Sequence, residues 1–216
     1  MSGCCPGGVY GEFFDEKLAH RDAERYRRKG LGGASRRLVE LVAGRGIAGA
    51  SVLEIGGGTG TLQIELLERG AERATNLELS PAYDREAAQL LEEHGLRGRV
   101  DRRVADVVSD PETVGPADVV LLHRVVCCYP DYDALLTAAS TKARRIVAFS
   151  FPPDNTVARL AVGVLNFGQR LRGSAFRSFV HPERAMLDAV VSNGFRLAEV
   201  KRAGVWRLAL LEREAT

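Results

Sequence analysis

Short apolar segments alternate along the sequence with longer segments whose apolar residues recur at helical spacing. β-strands are predicted over residues 51–55, 74–79, 99–104, 117–122 and 145–151, most of which are such short segments. The longer segments predict helices over residues 12–28, 35–43, 61–69, 82–94, 131–142, 156–171 and 182–191. Strands that alternate with helices are typical of a parallel sheet covered by helices on both faces. Two further strands, over residues 195–202 and 205–213, are separated by a short turn and predict a C-terminal hairpin.

The first predicted strand ends in a glycine-rich turn, with the sequence E-I-G-G-G-T-G over residues 54–60. Glycine allows a sharp turn and a close approach of the backbone to a ligand. The dinucleotide-binding pattern G-x-G-x-x-G/A does not fit, because its third position falls on Thr61 or Gln63. A phosphate-binding loop does not fit either, because Thr61 and Leu62 follow where a Lys-Ser/Thr pair is needed. The turn therefore predicts a site for a nucleoside ligand without a pyrophosphate.

Polar residues also follow the next three predicted strands. Glu78 ends the second strand, Asp106 follows the third and His123 follows the fourth. Ligands of open α/β sheets bind at the carboxyl ends of the strands, so these side chains are expected along one edge of the sheet. An ionised carboxylate can accept both hydroxyls of a ribose, and Glu78 stands roughly 20 residues past the turn, where α/β nucleotide sites place that acid.

These motifs resemble those of the class I S-adenosylmethionine (SAM) dependent methyltransferases. The glycine turn is similar to motif I, a hydrophobic strand followed by E/D-x-G-x-G-x-G, and residues 118–131 are similar to motif IV. The resemblance implies a Rossmann-like, doubly wound, mostly parallel seven-stranded sheet with a C-terminal β-hairpin, with SAM as cofactor and S-adenosylhomocysteine (SAH) as product. The cofactor-binding residues that it implies are Glu54, Gly56, Gly57, Gly58, Gly60, Glu78, Leu79, Asp106, Val107 and His123.

Two of these assignments have alternatives that involve no cofactor. The glycines also fit a tight turn that binds no ligand. Asp106, which the resemblance places at the adenine, also fits a carboxylate that caps a strand end or the start of a helix.

Methyl transfer needs few catalytic side chains, because the sulfonium of SAM already activates the methyl group. A general base is needed only when the acceptor arrives protonated, as a phenol or an amine does. His123 and Tyr129 are the candidate bases near the predicted sheet edge, and His181 is a third candidate further along the chain. Alternatively, the backbone of His123, and not its imidazole, lines the cofactor site.

Two segments outside the cofactor motifs are candidates for substrate recognition. The resemblance implies an N-terminal helical lid over residues 1–45. After the cofactor-binding core comes a substrate-side insertion, which spans residues 156–180. The helix of this insertion is apolar nearly all round and therefore predicts burial, in the core, in a dimer contact or against a substrate. The remaining residues, 181–216, are expected to complete the single domain with a helix and the hairpin. The candidate substrate-binding residues are Tyr10, Phe13, Phe14, Tyr129 and Phe167.

Part of the chain is similar to one branch of the family, the magnesium-protoporphyrin O-methyltransferases. Those enzymes share a His-Tyr-Pro-like turn where this chain has C-Y-P at residues 128–130. They also share an Arg-Arg pair that leads into an apolar run, here at residues 144–149, and the Phe-Pro pair that follows. The similarity spans residues 117–153 and implies O-methylation of a hydrophobic small molecule that carries a carboxylate.

Length and charge narrow the possible functions. A chain of 216 residues with 45% hydrophobic residues can bury one sizeable core. The net charge is only +2 and no basic groove with interleaved aromatic residues is present, which argues against an RNA substrate. The sequence shows no secretory signal and no apolar stretch long enough to span a membrane, so a cytoplasmic location is expected.

The favoured interpretation of the whole sequence is a monomeric or homodimeric methyltransferase for a small-molecule acceptor. The alternatives are a protein or RNA methyltransferase and a non-catalytic SAM-binding regulatory or partner protein.

The four cysteines form two adjacent pairs, Cys4 with Cys5 and Cys127 with Cys128. Neighbouring cysteines do not easily bridge to each other, and a cytoplasmic chain keeps them reduced. Four thiolates could bind zinc or a soft metalloid if the N-terminal segment folded over the active site, although a C-C pair lacks the C-x-x-C spacing of zinc knuckles. Free cysteines packed as small hydrophobic side chains are the commoner case, so no metal is expected and the soft-metal site is the alternative.

Overall fold

Seven strands form one sheet in the computed structural model, which describes residues 7–214 and the side chains from residue 10 onward. The strands are β1 (Ser51–Ile55), β2 (Arg73–Glu78), β3 (Val100–Val104), β4 (Ala117–Leu122), β5 (Ala143–Phe151), β6 (Phe195–Ala203) and β7 (Trp206–Arg213). The α-helices are α1 (Gly7–Phe13), α2 (Glu16–Lys29), α3 (Gly33–Ala43), α4 (Thr61–Glu68), α5 (Asp84–Glu93), α6 (Tyr132–Lys142), α7 (Thr156–Leu171) and α8 (Glu183–Val191). Neighbouring strands follow the order β3-β2-β1-β4-β5-β7-β6.

The strand directions confirm the predicted Rossmann-like, doubly wound sheet. Strands β1 to β5 are parallel, and β7 runs antiparallel to both β5 and β6, which forms the predicted hairpin. The central strand β1 is buried along its whole length, as expected for an apolar strand with helices on both faces. The strand order reverses between β1 and β4, and ligands of such sheets bind in the crevice at that point.

The two faces of the sheet carry separate hydrophobic cores because side chains alternate along each strand. In β1, Val52 belongs to the core beneath α3, α4 and α5, whereas Leu53 belongs to the core beneath α6 and α8. The sheet is thus held on both sides, and the loops at its carboxyl edge start from fixed positions.

The helix predicted over residues 12–28 is wrong in its N-terminal part, because the structure has two helices there. α1 ends at Phe13 and α2 begins at Glu16, after Asp15 in an extended conformation. The Asp15 carboxylate accepts a hydrogen bond of 2.8 Å from the amide of Leu18. An aspartate that satisfies a free amide in this way starts a helix, and the chain changes direction before it.

Helix α7 departs from the expected burial of its apolar residues. Gln169 is its only buried side chain, and its large apolar residues point away from the protein. The expectation that this helix belongs to the core is therefore wrong. No helix within residues 7–214 is long and apolar enough to cross a membrane.

Candidate active site

A cavity opens at the carboxyl ends of the central strands, between the glycine turn and the N-terminal helices. The residues assigned from the sequence that line it are Tyr10, Phe14, Glu54, Gly56, Gly57, Gly58, Glu78, Leu79, His123, Cys128 and Tyr129. The assigned residues that do not line it are Phe13, Gly60, Asp106, Val107, Cys127, Phe167 and His181. The structure thus brings together most of the residues expected at the sheet edge, although they come from distant parts of the sequence.

Three glycines of the turn lie close to neighbouring side chains. A Cβ atom at Gly56 would lie 2.5 Å from Cγ2 of Val125, and Gly56 has a left-handed φ of +64°. A Cβ at Gly57 would collide with the Asn76 amide, and one at Gly60 would collide with the Gln63 amide. These contacts also fit the alternative in which the glycines form a tight turn that binds no ligand.

Gly58 lines the cavity as Gly56 and Gly57 do, but it differs from them because side chains bind both its amide and its carbonyl. Its φ is +54°, and a Cβ would lie 3.4 Å from the ring of Tyr83. Its amide donates a hydrogen bond of 2.8 Å to Glu78 Oε2. Its carbonyl accepts one of 2.7 Å from Nη1 of Arg102. The conformation of Gly58 therefore depends on the side chains of two neighbouring strands.

Glu78 is the acid at the centre of this arrangement. Besides the amide of Gly58, its carboxylate accepts the amides of Leu79 at 2.8 Å and Ser80 at 3.0 Å. An ionised carboxylate offers about four acceptor positions, so three amides leave one on the cavity side for a ligand hydroxyl. The side chain connects the end of β2 to the glycine turn while facing the cavity.

Glu54, the other acid of the cavity wall, is buried. Its carboxylate accepts a hydrogen bond of 3.2 Å from the amide of Gln63 at the start of α4. Burial raises the pKa of the Glu54 carboxyl to about 8. A carboxyl with this pKa is largely protonated at neutral pH, so Glu78 is the more effective acceptor of ligand hydroxyls.

Arg102 on β3 supports the glycine turn from beneath. Its Nη1 also donates to Asn76 Oδ1 at 2.9 Å, and its Nε donates to Asp84 Oδ1 at 2.7 Å. We expect Arg102→Leu to weaken SAH binding by about tenfold, because a charge-assisted hydrogen bond that fixes Gly58 is lost. Calorimetric titration with SAH measures this effect.

The matched control is Arg103→Leu. Arg103 is the next residue on β3, and it pairs with Asp101 at an exposed position. Its replacement should leave the affinity for SAH unchanged. Equal losses in the two variants would show that Arg102 acts only through general stability.

The imidazole of His123 is fixed between two serine hydroxyls. Ser35 Oγ lies 2.9 Å from Nε2, and Ser150 Oγ lies 2.9 Å from Nδ1. Burial, together with the nearby charge of Arg124, lowers the pKa of His123 to about 3. A neutral imidazole with this pKa is a weak base at neutral pH. The geometry favours a ring that connects α3 to β4 and β5 over a ring that abstracts protons.

The low pKa of His123 predicts a pH-dependent contribution to stability. The unfolded chain binds a proton at this residue below about pH 6.5, but the folded chain does not until about pH 3. The contribution is therefore complete above pH 6.5 and is lost as the pH falls. The unfolding free energy of the wild type minus that of His123→Asn should decrease by about 2 kcal/mol from pH 7 to pH 5, as urea titrations at each pH would measure. A constant difference would contradict the assignment.

Tyr129 joins the cavity to two assigned residues that lie behind its wall. Its Oη donates a hydrogen bond of 3.0 Å to Asp106 Oδ2, and its carbonyl lies 3.0 Å from Nε2 of His181. Asp106 also accepts a hydrogen bond from the amide of Val108, as a capping carboxylate does. Val107 is buried in the core. Asp106 is thus connected to the cavity through Tyr129. Its contact with the adenine of the cofactor remains a prediction.

The N-terminal helix covers one side of the cavity. Tyr10 Oη donates to the carbonyl of Cys128 at 3.0 Å, and Ser80 Oγ donates to the carbonyl of Phe14 at 2.6 Å. Phe13 does not line the cavity; its ring stacks on Phe176 at a centroid distance of 4.1 Å. The aromatic residues expected in a lid therefore pack against the segment that follows α7.

Two guanidinium groups of the cavity wall were not indicated by any motif. Arg25 on α2 lies beside Asp22, with 3.6 Å between Nη2 and Oδ1. Arg124 follows His123, and its guanidinium lies 5.2 Å from the ring centroid of Trp206. Burial and the charge of Arg25 lower the pKa of Arg124, so the two cations are within electrostatic range. α2 carries many charged residues, and its sequence does not distinguish Arg25 from the other arginines.

Cys127 and Cys128 lie in a short turn with 3.7 Å between their sulfur atoms. The hydrogen bond between them lowers the pKa of Cys127 and raises that of Cys128. Cys4 and Cys5 lie outside the described residues, so the structure does not test their part in the alternative soft-metal site. Within residues 7–214 no group of three or more His, Cys, Asp or Glu side chains is arranged to hold a metal ion.

Comparisons with known proteins agree with this geometry. The family described as "Methyltransferase domain" matches residues 52–147. No curated protein matches the sequence. Magnesium protoporphyrin IX methyltransferase (ChlM) from Synechocystis PCC 6803, crystallised with bound SAH, is 23% identical with a TM-score of 0.73, and the similarity covers 96% of this chain and 99% of that chain. The structure of the same protein with bound SAM gives 21% identity, a TM-score of 0.70 and coverage of 99% of this chain and 100% of that chain. An O-methyltransferase family protein from Burkholderia thailandensis is 18% identical with a TM-score of 0.74, covering 95% of this chain and 63% of that chain.

Proposed function

We propose that the chain, whose residues 52–147 match a methyltransferase domain, is a SAM-dependent methyltransferase that methylates a carboxylate oxygen of a small, largely apolar molecule. When bound, SAM supplies a methyl group that its positive sulfonium has already activated. The residues that would hold it are Gly58, Glu78 and Leu79, which line the cavity at the carboxyl edge of the sheet. The remaining acceptor position of Glu78 suits a ribose hydroxyl.

The observation that carries the proposal is a pair of guanidinium groups in the cavity wall, of which Arg25 is paired with Asp22 and Arg124 has no acid among the ion pairs of the described residues. Arg25 and Arg124 face a cavity whose other walls include Tyr10, Phe14 and Leu31. Arginine binds carboxylates in a bidentate manner, whereas the aromatic and aliphatic walls bind apolar carbon. The cavity therefore suits a molecule with an apolar body and an anionic end.

The weak basicity of His123 supports a carboxylate as the methylated group. A phenol or amine must lose a proton before or during transfer, but a carboxylate is already ionised at neutral pH. The chain then needs only to place the acceptor oxygen in line and to exclude water. The transfer neutralises the negative charge of the carboxylate and the positive charge of the sulfonium. The products are a methyl ester and SAH.

Two of the similar structures support oxygen as the acceptor atom. One is named as a magnesium protoporphyrin IX methyltransferase and another as an O-methyltransferase family protein. Porphyrins that carry propionate groups therefore belong in a panel of candidate acceptors, together with simpler apolar acids.

The test is transfer of a radiolabelled methyl group from SAM to this panel. Each acid is compared with the corresponding alcohol and amine, and mild base then releases methanol from methyl esters but not from ethers or methylamines. Base-labile product formed from acids alone is the expected result. Base-stable product would exclude ester formation, and SAM binding without transfer to any acceptor would favour a non-catalytic SAM-binding protein.

The carboxylate of SAM itself is another possible partner of the two arginines. Arg124→Gln and Arg25→Gln should raise the KM of the acid severalfold while the affinity for SAH stays unchanged. A loss of SAH affinity as large as the rise in KM would place the guanidinium groups at the cofactor.

A further inference from the structure

Helix α7 carries an exposed apolar stripe that the active site does not use. Six of the ten exposed large hydrophobic side chains of the described residues lie on this helix. The stripe consists of Val157, Leu160, Val164, Phe167 and Leu171, which are exposed by 78%, 69%, 65%, 63% and 73%. None of the five lines the cavity. A contiguous apolar surface of this kind on a folded domain marks an interaction site.

The spacing within the stripe suits a second helix as partner. The five residues follow one another at intervals of three, four, three and four positions, which is the a/d pattern of a helix pair. Val157, Val164 and Leu171 occupy the a positions, and Leu160 and Phe167 occupy the d positions. The helix of 16 residues presents this seam over about 24 Å.

The residues that flank the seam allow a second helix to approach closely. The e positions are Ala161 and Gly168, and one g position is Gly163. Small flanking residues permit a short distance between helix axes. The other g position is Arg170, which in an antiparallel pair would face the small Gly163 of the partner subunit and so meets no like charge.

The opposite side of α7 is held against the protein, so the seam points outward in a fixed direction. Ala158 and Val162 are half-buried, and Gln169 is buried. The Asn166 side chain exchanges two hydrogen bonds of 2.8 Å with the backbone of Ser178. The helix is thus anchored on one side and available for contact on the other.

We propose that α7 is the interface of a homodimer, in which it packs antiparallel against α7 of a second copy of this chain. In an antiparallel pair the a residues of one helix lie beside the d residues of the other, so the stripe is complementary to itself across a two-fold axis. A helix that rests on a membrane surface has its polar, basic face in water. Opposite the seam, Val162 is half-buried and Gln169 is buried against the protein, so this part of α7 is not a polar face in water, which favours a second copy over a lipid surface.

The test is sedimentation equilibrium of the full chain. The wild type should sediment at twice the 23.4 kDa of one chain. Val164→Glu and Leu160→Glu each place a charge in the seam, and each should weaken self-association by about a hundredfold or more. Val205→Glu is the matched control, because Val205 is an equally exposed valine in the hairpin turn and should leave the dimer intact.

Two further measurements separate the possible outcomes. Calorimetric titration with SAH should give the same affinity for Val164→Glu and the wild type, which shows that the variant is folded. A monomeric wild type, or a dimer that persists in both seam variants, would overturn the proposal. So would a monomer that floats with phosphatidylglycerol vesicles and loses this binding in Val164→Glu, because α7 would then contact lipid.

Discussion

Gly58→Val is expected to weaken SAH and SAM binding by roughly a hundredfold or more. A residue with a Cβ loses about 1–2 kcal/mol in the left-handed conformation that Gly58 adopts, and a β-branched side chain fits it least well. The new side chain would also press on Tyr83 and pull the peptide away from Glu78 and Arg102. Calorimetric titration with both ligands measures the loss.

Gly46→Val is the control for this substitution. Gly46 has a φ of +70° with no atom near its missing Cβ, and it does not line the cavity. The two variants should therefore lose similar stability, but only Gly58→Val should lose the ligand. If both variants lose affinity to the same degree, the effect of Gly58 on the cavity is no greater than that of general destabilisation.

Glu78→Ala is expected to weaken SAH binding by about tenfold or more, because it removes a ligand acceptor and leaves the amides of Gly58, Leu79 and Ser80 without their partner. Glu78→Gln retains one acceptor oxygen and should have an intermediate affinity. The same titration measures both variants, and thermal unfolding shows how much of the loss is structural.

The control for Glu78 is Glu92→Ala on α5. Glu92 is exposed and pairs with Arg97, far along the chain from the glycine turn. Its replacement should change neither affinity nor unfolding temperature. Unchanged affinity in Glu78→Ala would remove this carboxylate from the cofactor site.

Much of the sheet was predictable from the sequence because strands such as β1, β4 and β5 contain short apolar runs next to a glycine or polar turn. For instance, the apolar run before the glycine turn predicts β1 over residues 51–55, and the structure has a strand there. The break between α1 and α2 was not predicted, because the apolar residues on both sides of Asp15 keep helical spacing. Only the capping geometry of Asp15 shows that the chain turns there.

The cofactor side of the candidate site was predictable because strand order brings Glu54, Glu78 and His123 to one edge. The substrate side was not, since Arg25 reaches the cavity through the packing of α2, which local sequence does not encode. Phe167 illustrates a second limit: hydrophobicity predicts burial in the core, in a dimer contact or against a substrate, and the structure excludes only the core, since the side chain is exposed on α7. A sequence pattern shows that a helix has an apolar side, and only the tertiary structure shows what that side faces.

Arg124 is the only non-glycine residue between residues 7 and 214 with a left-handed backbone, with a φ of 62°. Glycine would adopt this conformation without strain, so the native chain is less stable by about 1–2 kcal/mol than it needs to be. Selection for thermal stability alone would favour Arg124→Gly. This substitution would remove one guanidinium group from the cavity wall. Thermal stability and the proposed recognition of an anionic acceptor therefore place opposite requirements on this one residue.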